Sequence, residues 1–130
     1  MGAIENAATI RNGYAAFNRG DVEALVELFD EDIVWHFPGT SKLAGDHIGR
    51  DAALGMLGDY GAASAGTLQA NAIDVMASDE HVTGWARDTA SANGRTLDVG
   101  SVVVFTMRDG KVTEAHHHFD DQAALDAFLA

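Results

Sequence analysis

Two turn dipeptides in the second half of the sequence restrict what this chain can fold into. Asn93-Gly94 and Asp109-Gly110 are typical of two-residue hairpin turns, because such turns need positive φ at their central positions. The segment between them, residues 95–108, alternates as a strand with one buried face does. Its inward candidates are Leu97, Val99, Ser101, Val103 and Phe105. Together with the extended segments 68–77, 82–92 and 111–119, this pattern predicts an antiparallel β-meander.

The first half of the sequence has a helical pattern that one strand interrupts. Ile10, Tyr14 and Phe17 recur at helical spacing, and Gly20 suits the end of that helix. Asp21 suits the cap of a second helix, which is predicted to end at the acidic residues 30–32. The remaining predicted elements are a strand over residues 33–37, a loop through residue 49, a helix over residues 50–61 and a closing helix capped by Asp120.

This order of elements predicts one α+β domain over residues 1–130, in which a curved antiparallel sheet wraps around helices. The sheet would then enclose a concave interior, and such interiors bind small ligands. Eight Lys and Arg face twenty Asp and Glu, for a net charge of −12. That balance argues against a nucleic-acid partner and against an anionic membrane surface. A small hydrophobic or cationic ligand fits better.

The sequence also bears on redox chemistry and localisation. It contains no cysteine, which excludes disulfides and thiol catalysis. Residues 1–6 lack the basic and apolar segments of a signal peptide, and the apolar run at residues 102–105 is far too short to span a bilayer. We therefore expect a cytoplasmic protein. Separately, no cofactor is predicted.

Three consecutive histidines, His116, His117 and His118, lie on the last predicted strand. Because side chains alternate along a strand, His116 and His118 share one face and His117 points to the other. Imidazole is the side chain whose ordinary pKa lies closest to neutrality. At least one of these histidines is therefore expected inside the sheet, where it can transfer protons.

Several local phrases resemble the SnoaL-like branch of the nuclear-transport-factor-two-like superfamily, which includes ketosteroid isomerases and polyketide cyclases. They are residues 14–21 (YAAFNRGD), 35–39 (WHFPG), 45–51 (GDHIGRD), 94–99 (GRTLDV) and 109–112 (DGKV). The resemblance covers essentially the whole chain. It implies a cone-shaped, cystatin-like α+β barrel, usually a homodimer, with an apolar pocket between the helices and the sheet. Because this fold hosts many activities, the resemblance does not specify one.

The catalytic positions of ketosteroid isomerases are only partly matched. Their base aspartate, just before the proline that ends the first strand, corresponds to Phe37, and their second aspartate corresponds to Ser101. Their tyrosine lies on the first helix, where Tyr14 is offset by one position relative to Gly20-Asp21. Steroid isomerisation by that mechanism is therefore not expected.

The same comparison turns His117 inward, whereas a bulge after Asp109-Gly110 would reverse the register and favour His118. His117 or His118 is the predicted general base, and Tyr14 and Ser101 are candidate contacts for a carbonyl or hydroxyl. If Asp88 faces inward, it would orient His117. The other predicted pocket residues, which are equally compatible with a plain core or surface role, are Trp35, Phe37, His47 (on a loop at the pocket mouth), Met56, Tyr60, Trp85 and Phe119.

A metal site is a competing interpretation of the histidines. His116 and His118 share a strand face and could supply two imidazoles, with His36 or Asp98 as the third ligand. Spacing of this kind is a weak signal, and His36 is otherwise expected at the surface or at a subunit contact. We therefore predict no metal.

The sequence favours an enzyme that isomerises, cyclises or dehydrates a small hydrophobic carbonyl compound by proton transfer. The alternative is a module that binds an apolar ligand without turnover, or a homodimer whose pocket has no function.

Overall fold

A computed structural model describes residues 2–130, and Met1, which the predicted domain includes, lies outside this range. The helices are α1 (Ala3–Arg19), α2 (Val22–Leu28), α3 (Arg50–Ala63) and α4 (Gln122–Leu129). The strands are β1 (Phe29–Phe37), β2 (Gly45–Ile48), β3 (Gln69–Ala77), β4 (His81–Ala92), β5 (Arg95–Arg108) and β6 (Lys111–Phe119). The α+β class and the curved sheet that were predicted are confirmed.

The strands form a six-stranded sheet in the order β2-β1-β6-β5-β4-β3. The β1–β6 pair is parallel, and the other pairs are antiparallel. The meander β3 to β6 follows from the predicted turns, where Asn93 and Asp109 adopt positive φ beside their glycines. The parallel pair brings the first strand against the last one, so residues distant in sequence meet at the middle of the sheet.

The helix ends follow ordinary capping chemistry. Gly20 adopts a left-handed φ of 73° and closes α1 by donating to the carbonyl oxygens of Ala16 and Phe17. The Asp21 carboxylate accepts from the backbone N–H of Ala24 and thereby caps α2, which satisfies one of the free donors at a helix start.

Three local predictions were wrong. The second helix ends at Leu28, so the acidic residues 30–32 lie within β1 rather than at a helix end. The predicted loop before residue 49 contains β2, a short edge strand along β1. The closing helix is capped by Asp121, whose carboxylate accepts from Ala124, because Asp120 instead accepts from the backbone N–H of Gly100.

The core lies between the concave face of the sheet and the helices. The predicted alternation along β5 holds, since the inward candidates from Leu97 to Phe105 are buried. Opposite β5, the register of β6 shifts so that Thr106 pairs with Glu114 and Met107 with Val112. This bulge inserts an extra residue into β6 and reverses its alternation midway. Within residues 2–130, no helix is long and apolar enough to cross a membrane.

Candidate active site

A cavity opens between the first three helices and the concave face of the sheet. Its wall is mostly apolar, with five polar side chains, those of Tyr14, Tyr60, Asp88, Ser101 and His117. The volume of the cavity that the centre of a water molecule can reach is about 70 Å³. Because one water needs roughly 10–15 Å³ on this measure, the space holds several waters or a small ligand.

His117 is the inward-facing member of the histidine triplet, with only 6% of its surface exposed. The indole N–H of Trp35 donates to its Nδ1 at 3.3 Å. Because Nδ1 is thus an acceptor, the neutral ring carries its proton on Nε2, which lies 2.8 Å from the Ser101 hydroxyl. Burial lowers the pKa of His117 to about 3, and the neighbouring His118 acts in the same direction. Both ring nitrogens are therefore engaged, and the imidazole stays neutral.

Two aromatic rings hold the His117 ring from the sides. Phe119 stacks on it with centroids 4.4 Å apart, and Phe37 meets it edge-on at 5.2 Å. Neither ring is part of the cavity wall. Met56, also predicted as a pocket residue, is buried in the core beside the cavity rather than in its wall. These three residues therefore lie outside the cavity wall, and a part in ligand binding stays a prediction for them.

Asp88 projects into the cavity from the middle of β4 and is 2% exposed. The Tyr60 hydroxyl donates to its Oδ2 at 2.9 Å, while Oδ1 has no hydrogen-bond partner among the described residues. Burial raises the pKa of Asp88 to about 6, although the nearby hydroxyls of Tyr60 and Ser101 act in the opposite direction. Contrary to the prediction, Asp88 contacts Tyr60 and not His117.

Tyr14 reaches the same cavity from α1. Its hydroxyl is buried and makes no hydrogen bond within residues 2–130, and its ring meets Phe105 edge-on. Burial, and then the charge of Asp88, raises the pKa of Tyr14, so it remains a hydrogen-bond donor at neutral pH. Gly84 leaves the room for this ring, because a Cβ atom at that position would overlap with the Tyr14 side chain.

The cavity therefore contains two polar groups with unused hydrogen-bonding capacity, an acceptor on Asp88 and a donor on Tyr14. Buried polar groups in folded proteins nearly always have a partner. An unpartnered pair of opposite character in an apolar cavity is suited to hold a polar part of a ligand. The carboxyl can also exchange a proton, since its pKa of about 6 is close to neutral.

Three other predicted site residues lie elsewhere. His118 is exposed on the outer face, because it alternates with the buried Ala115 and His117. A bulge does occur in β6, but contrary to the expectation it leaves His117, and not His118, facing inward. Trp85 is 45% exposed, since it alternates with the buried Gly84 and Ala86 along β4. His47 does not close the cavity; it lies on β2, where its Nε2 is 2.7 Å from the carbonyl oxygen of Leu43.

The predicted metal ligands meet only in part. His36 and His116 lie together on the outer face, as their alternation predicts, but Glu114 joins them rather than His118. Asp98 is engaged elsewhere, because it accepts from the Arg87 guanidinium at 2.6 Å. His36 lies between the buried Trp35 and Phe37 on β1, so its side chain points to the face of the sheet away from the cavity.

Asp88 is the functional candidate that sequence reasoning undervalued, because it was considered only as a partner of the histidine. A signal was present: Asp88 has the same parity along its strand as Val82, Gly84, Ala86 and Ala90. An acidic residue on an otherwise apolar strand face is a candidate for a perturbed pKa.

Comparisons with known proteins agree with this architecture. The sequence profile of the SnoaL-like domain matches residues 10–115. The uncharacterized protein Rv0034 of Mycobacterium tuberculosis H37Rv is 34% identical over 122 residues, covering 93% of each chain. The structure of Bal32a, from a soil-derived mobile gene cassette, has a TM-score of 0.95, 46% identity and 98% coverage of both chains. IdmH, a candidate polyketide cyclase from Streptomyces antibioticus, has a TM-score of 0.77 and 24% identity, with 95% of this chain and 97% of IdmH covered. At this identity the similarity to IdmH supports only the fold.

Proposed function

The chain belongs to the SnoaL-like domain family, and on that premise we propose that it is a proton-transfer enzyme acting on a small hydrophobic carbonyl compound. The family and its polyketide cyclase-like neighbours support an isomerase or cyclase fold. The observation that carries the proposal is the unpartnered Asp88 Oδ1 and Tyr14 hydroxyl in one apolar cavity. The proposal replaces histidine by aspartate as the base.

The proposed reaction begins with a carbonyl oxygen at the Tyr14 hydroxyl. Asp88 Oδ1 removes a proton from the carbon next to the carbonyl, and the electron pair of that C–H bond forms an enolate. Tyr14 donates a hydrogen bond to the oxygen on which the charge develops, which is the purpose of an oxyanion hole. Where the enolate is conjugated with a C=C bond, the protonated Asp88 returns its proton to the far carbon of that bond, which completes an isomerisation. Where the β carbon carries a hydroxyl, the enolate pair forms a C=C bond as the C–O bond breaks, and Asp88 protonates the departing hydroxyl to water, which completes a dehydration.

The surroundings of Asp88 fit this role. A general base works best when its pKa is near the working pH, and burial raises the pKa of this carboxyl to about 6. The Tyr60 hydroxyl holds Oδ2, which leaves Oδ1 without a protein partner. His117 and Trp35 position Ser101 beside the carboxyl through two hydrogen bonds, so His117 is proposed as a positioning residue.

The proposal is tested by hydrogen–deuterium exchange at the carbon next to the carbonyl, followed by NMR in D₂O over a panel of small cyclic ketones. The wild-type protein should accelerate exchange of a ketone that it binds. Asp88→Asn should lower that rate by about 10²–10⁴, the usual contribution of a general base. Asp98→Asn is the matched control, because Asp98 is an exposed aspartate of the adjacent strand paired with Arg87, and it should leave the rate unchanged.

The second candidate is a non-catalytic module that holds the same class of ligand. It is favoured by the nearly apolar cavity wall and by the full hydrogen bonding of His117. Ketones that bind to both wild type and Asp88→Asn, with no difference in exchange rate, would reject the enzyme and support this module. A homodimer and a cytoplasmic location remain predictions.

A further inference from the structure

The outer face of the sheet, opposite the cavity, places two imidazoles and a carboxylate side by side. The parallel pairing of β1 with β6 sets His36 against His116 and Val34 against Glu114. The two imidazole rings stack with centroids 4.2 Å apart. Glu114 Oε2 lies 2.7 Å from His36 Nε2 and 3.4 Å from His116 Nε2. Three potential ligand atoms thus converge within 4.8 Å of one another.

A fourth side chain orients His36. The Asp46 carboxylate on β2 lies 2.6 Å from His36 Nδ1, and because a carboxylate accepts, Nδ1 is the donor. Nε2 lies against a second carboxylate, that of Glu114, so without a metal the ring donates from both nitrogens. A metal ion would take the place of the Nε2 proton, while the Nδ1–H held by Asp46 keeps the ring oriented, as in metal-binding histidines.

We propose that His36, Glu114 and His116 form a binding site for a divalent transition metal such as Zn²⁺, with Asp46 holding His36. Two imidazoles and one carboxylate are a donor set that zinc accepts, with the fourth position left to water. The side chains of His36 and His116 are 29% and 47% exposed, so they can rotate until the Nε2 atoms reach about 2.0–2.1 Å from the ion. The net charge of −12 favours cations near the surface.

The position of this site gives the metal a structural consequence. A bound ion would join β1 to β6, and these strands carry Trp35 and His117 on their other face. A ligand that binds only the folded protein raises its unfolding temperature with increasing concentration. Zinc should therefore raise the Tm of the protein, independently of any activity in the cavity.

The test uses untagged protein freed of metal with EDTA and titrated calorimetrically with ZnCl₂, and separately with MgCl₂. We expect one zinc per chain and no magnesium, because imidazole ligands select transition metals over magnesium. His116→Gln and Glu114→Gln remove ligands, and Asp46→Asn removes the orienting carboxylate. Each should weaken zinc binding by about 10–100-fold or more and reduce the zinc-dependent rise in Tm.

His118→Gln is the matched control, since His118 is an exposed histidine two positions along the same strand face. It should bind zinc as the wild type does. The site is overturned if His118→Gln weakens zinc as much as His116→Gln, if His116→Gln and Glu114→Gln bind zinc unchanged, or if zinc and magnesium bind alike to a diffuse acidic surface. Circular dichroism in EDTA checks that each variant is folded. Because His116 is exposed, His116→Gln is the variant least expected to disturb the fold.

Discussion

Replacing Asp88 by asparagine should change how the stability of the protein depends on pH. The folded-state pKa of Asp88 is raised from 3.8 to about 6. Between these two values the folded protein keeps this proton while the unfolded chain loses it. The free energy of unfolding of the wild type therefore falls as pH rises from the ordinary pKa of 3.8 to the folded-state pKa of about 6. Below this range the wild type carries no such penalty. Asparagine has nearly the same shape, still accepts from Tyr60, and never acquires the buried charge.

The magnitude follows from the two pKa values. One pKa unit corresponds to 1.36 kcal/mol, so the rise from 3.8 to about 6 amounts to ~3 kcal/mol in the free energy of unfolding. The stability of Asp88→Asn relative to wild type should therefore increase by ~3 kcal/mol between pH ~3.5 and pH ~7. Most of the change should fall between the two pKa values.

The measurement is urea unfolding followed by tryptophan fluorescence at a series of pH values, compared as the difference between variant and wild type. Tyr14, Tyr60, Ser101 and His117 line the same cavity, and of these only His117, with its pKa of about 3, titrates in the acid range. Its lowered pKa has the opposite effect: stability is full above the ordinary histidine pKa and is lost as pH falls toward about 3. Because both proteins contain His117, that contribution cancels in the difference.

Asp98→Asn serves again as the control, because exposed ion pairs contribute only about 0–1 kcal/mol. Its difference curve should stay within that range. A flat curve for Asp88→Asn, or one that falls with pH, would refute the assignment of Asp88 as a buried carboxyl with a raised pKa. It would also remove the main reason for proposing it as the base.

Three further predictions concern other residues in and around the cavity. Tyr14→Phe should leave the free energy of unfolding in urea unchanged or raise it by up to ~1 kcal/mol, because the buried Tyr14 hydroxyl has no partner. The same variant should lower the rate of ketone exchange by about 10²–10³. A loss of stability of more than ~1 kcal/mol would show that the hydroxyl is bonded in the folded state. Gly84→Ala should lower the unfolding free energy by about 1–3 kcal/mol, because the new methyl group overlaps with the Tyr14 ring, and combining it with Tyr14→Leu should recover part of the loss if this contact is the cause. His117→Ala should lower the free energy of unfolding by about 2–4 kcal/mol, because it leaves a void and an unpaired Trp35 N–H. His118→Ala, at an exposed position, should change it by no more than ~0.5 kcal/mol. Equal losses in thermal or urea unfolding would contradict the inward position of His117.

Much of the fold could be predicted because its signals are local. The Asn93-Gly94 turn specifies its own positive φ values, and the alternation along β5 identifies a buried face. The helix stop at Gly20 and the cap at Asp21 follow from groups within a few residues. The short strand β2 could not be predicted in this way, because none of its residues is fully buried and only its pairing with β1 makes it a strand.

The candidate site shows a similar division. The predicted residues that line the cavity together are Tyr14, Trp35, Tyr60, Ser101 and His117, because each lies on a recognisable face of a regular element. The bulge in β6 could not be located from the sequence, and its position before Glu114 leaves His117 rather than His118 on the buried face. Trp85 was misplaced because an aromatic residue on a strand is compatible with either face until the buried one is known.

By itself, the sequence determined the α+β class, the order of nearly all elements and the set of polar residues available for chemistry. Only the tertiary structure decided which of them act together. It buried Asp88 beside the Tyr60 hydroxyl, engaged both nitrogens of His117 and joined His36 to Glu114 through the parallel β1–β6 pair. The physical reason is that turns and faces depend on neighbours in the chain, whereas a pKa and a ligand set depend on charges, donors and solvent exclusion contributed by distant strands.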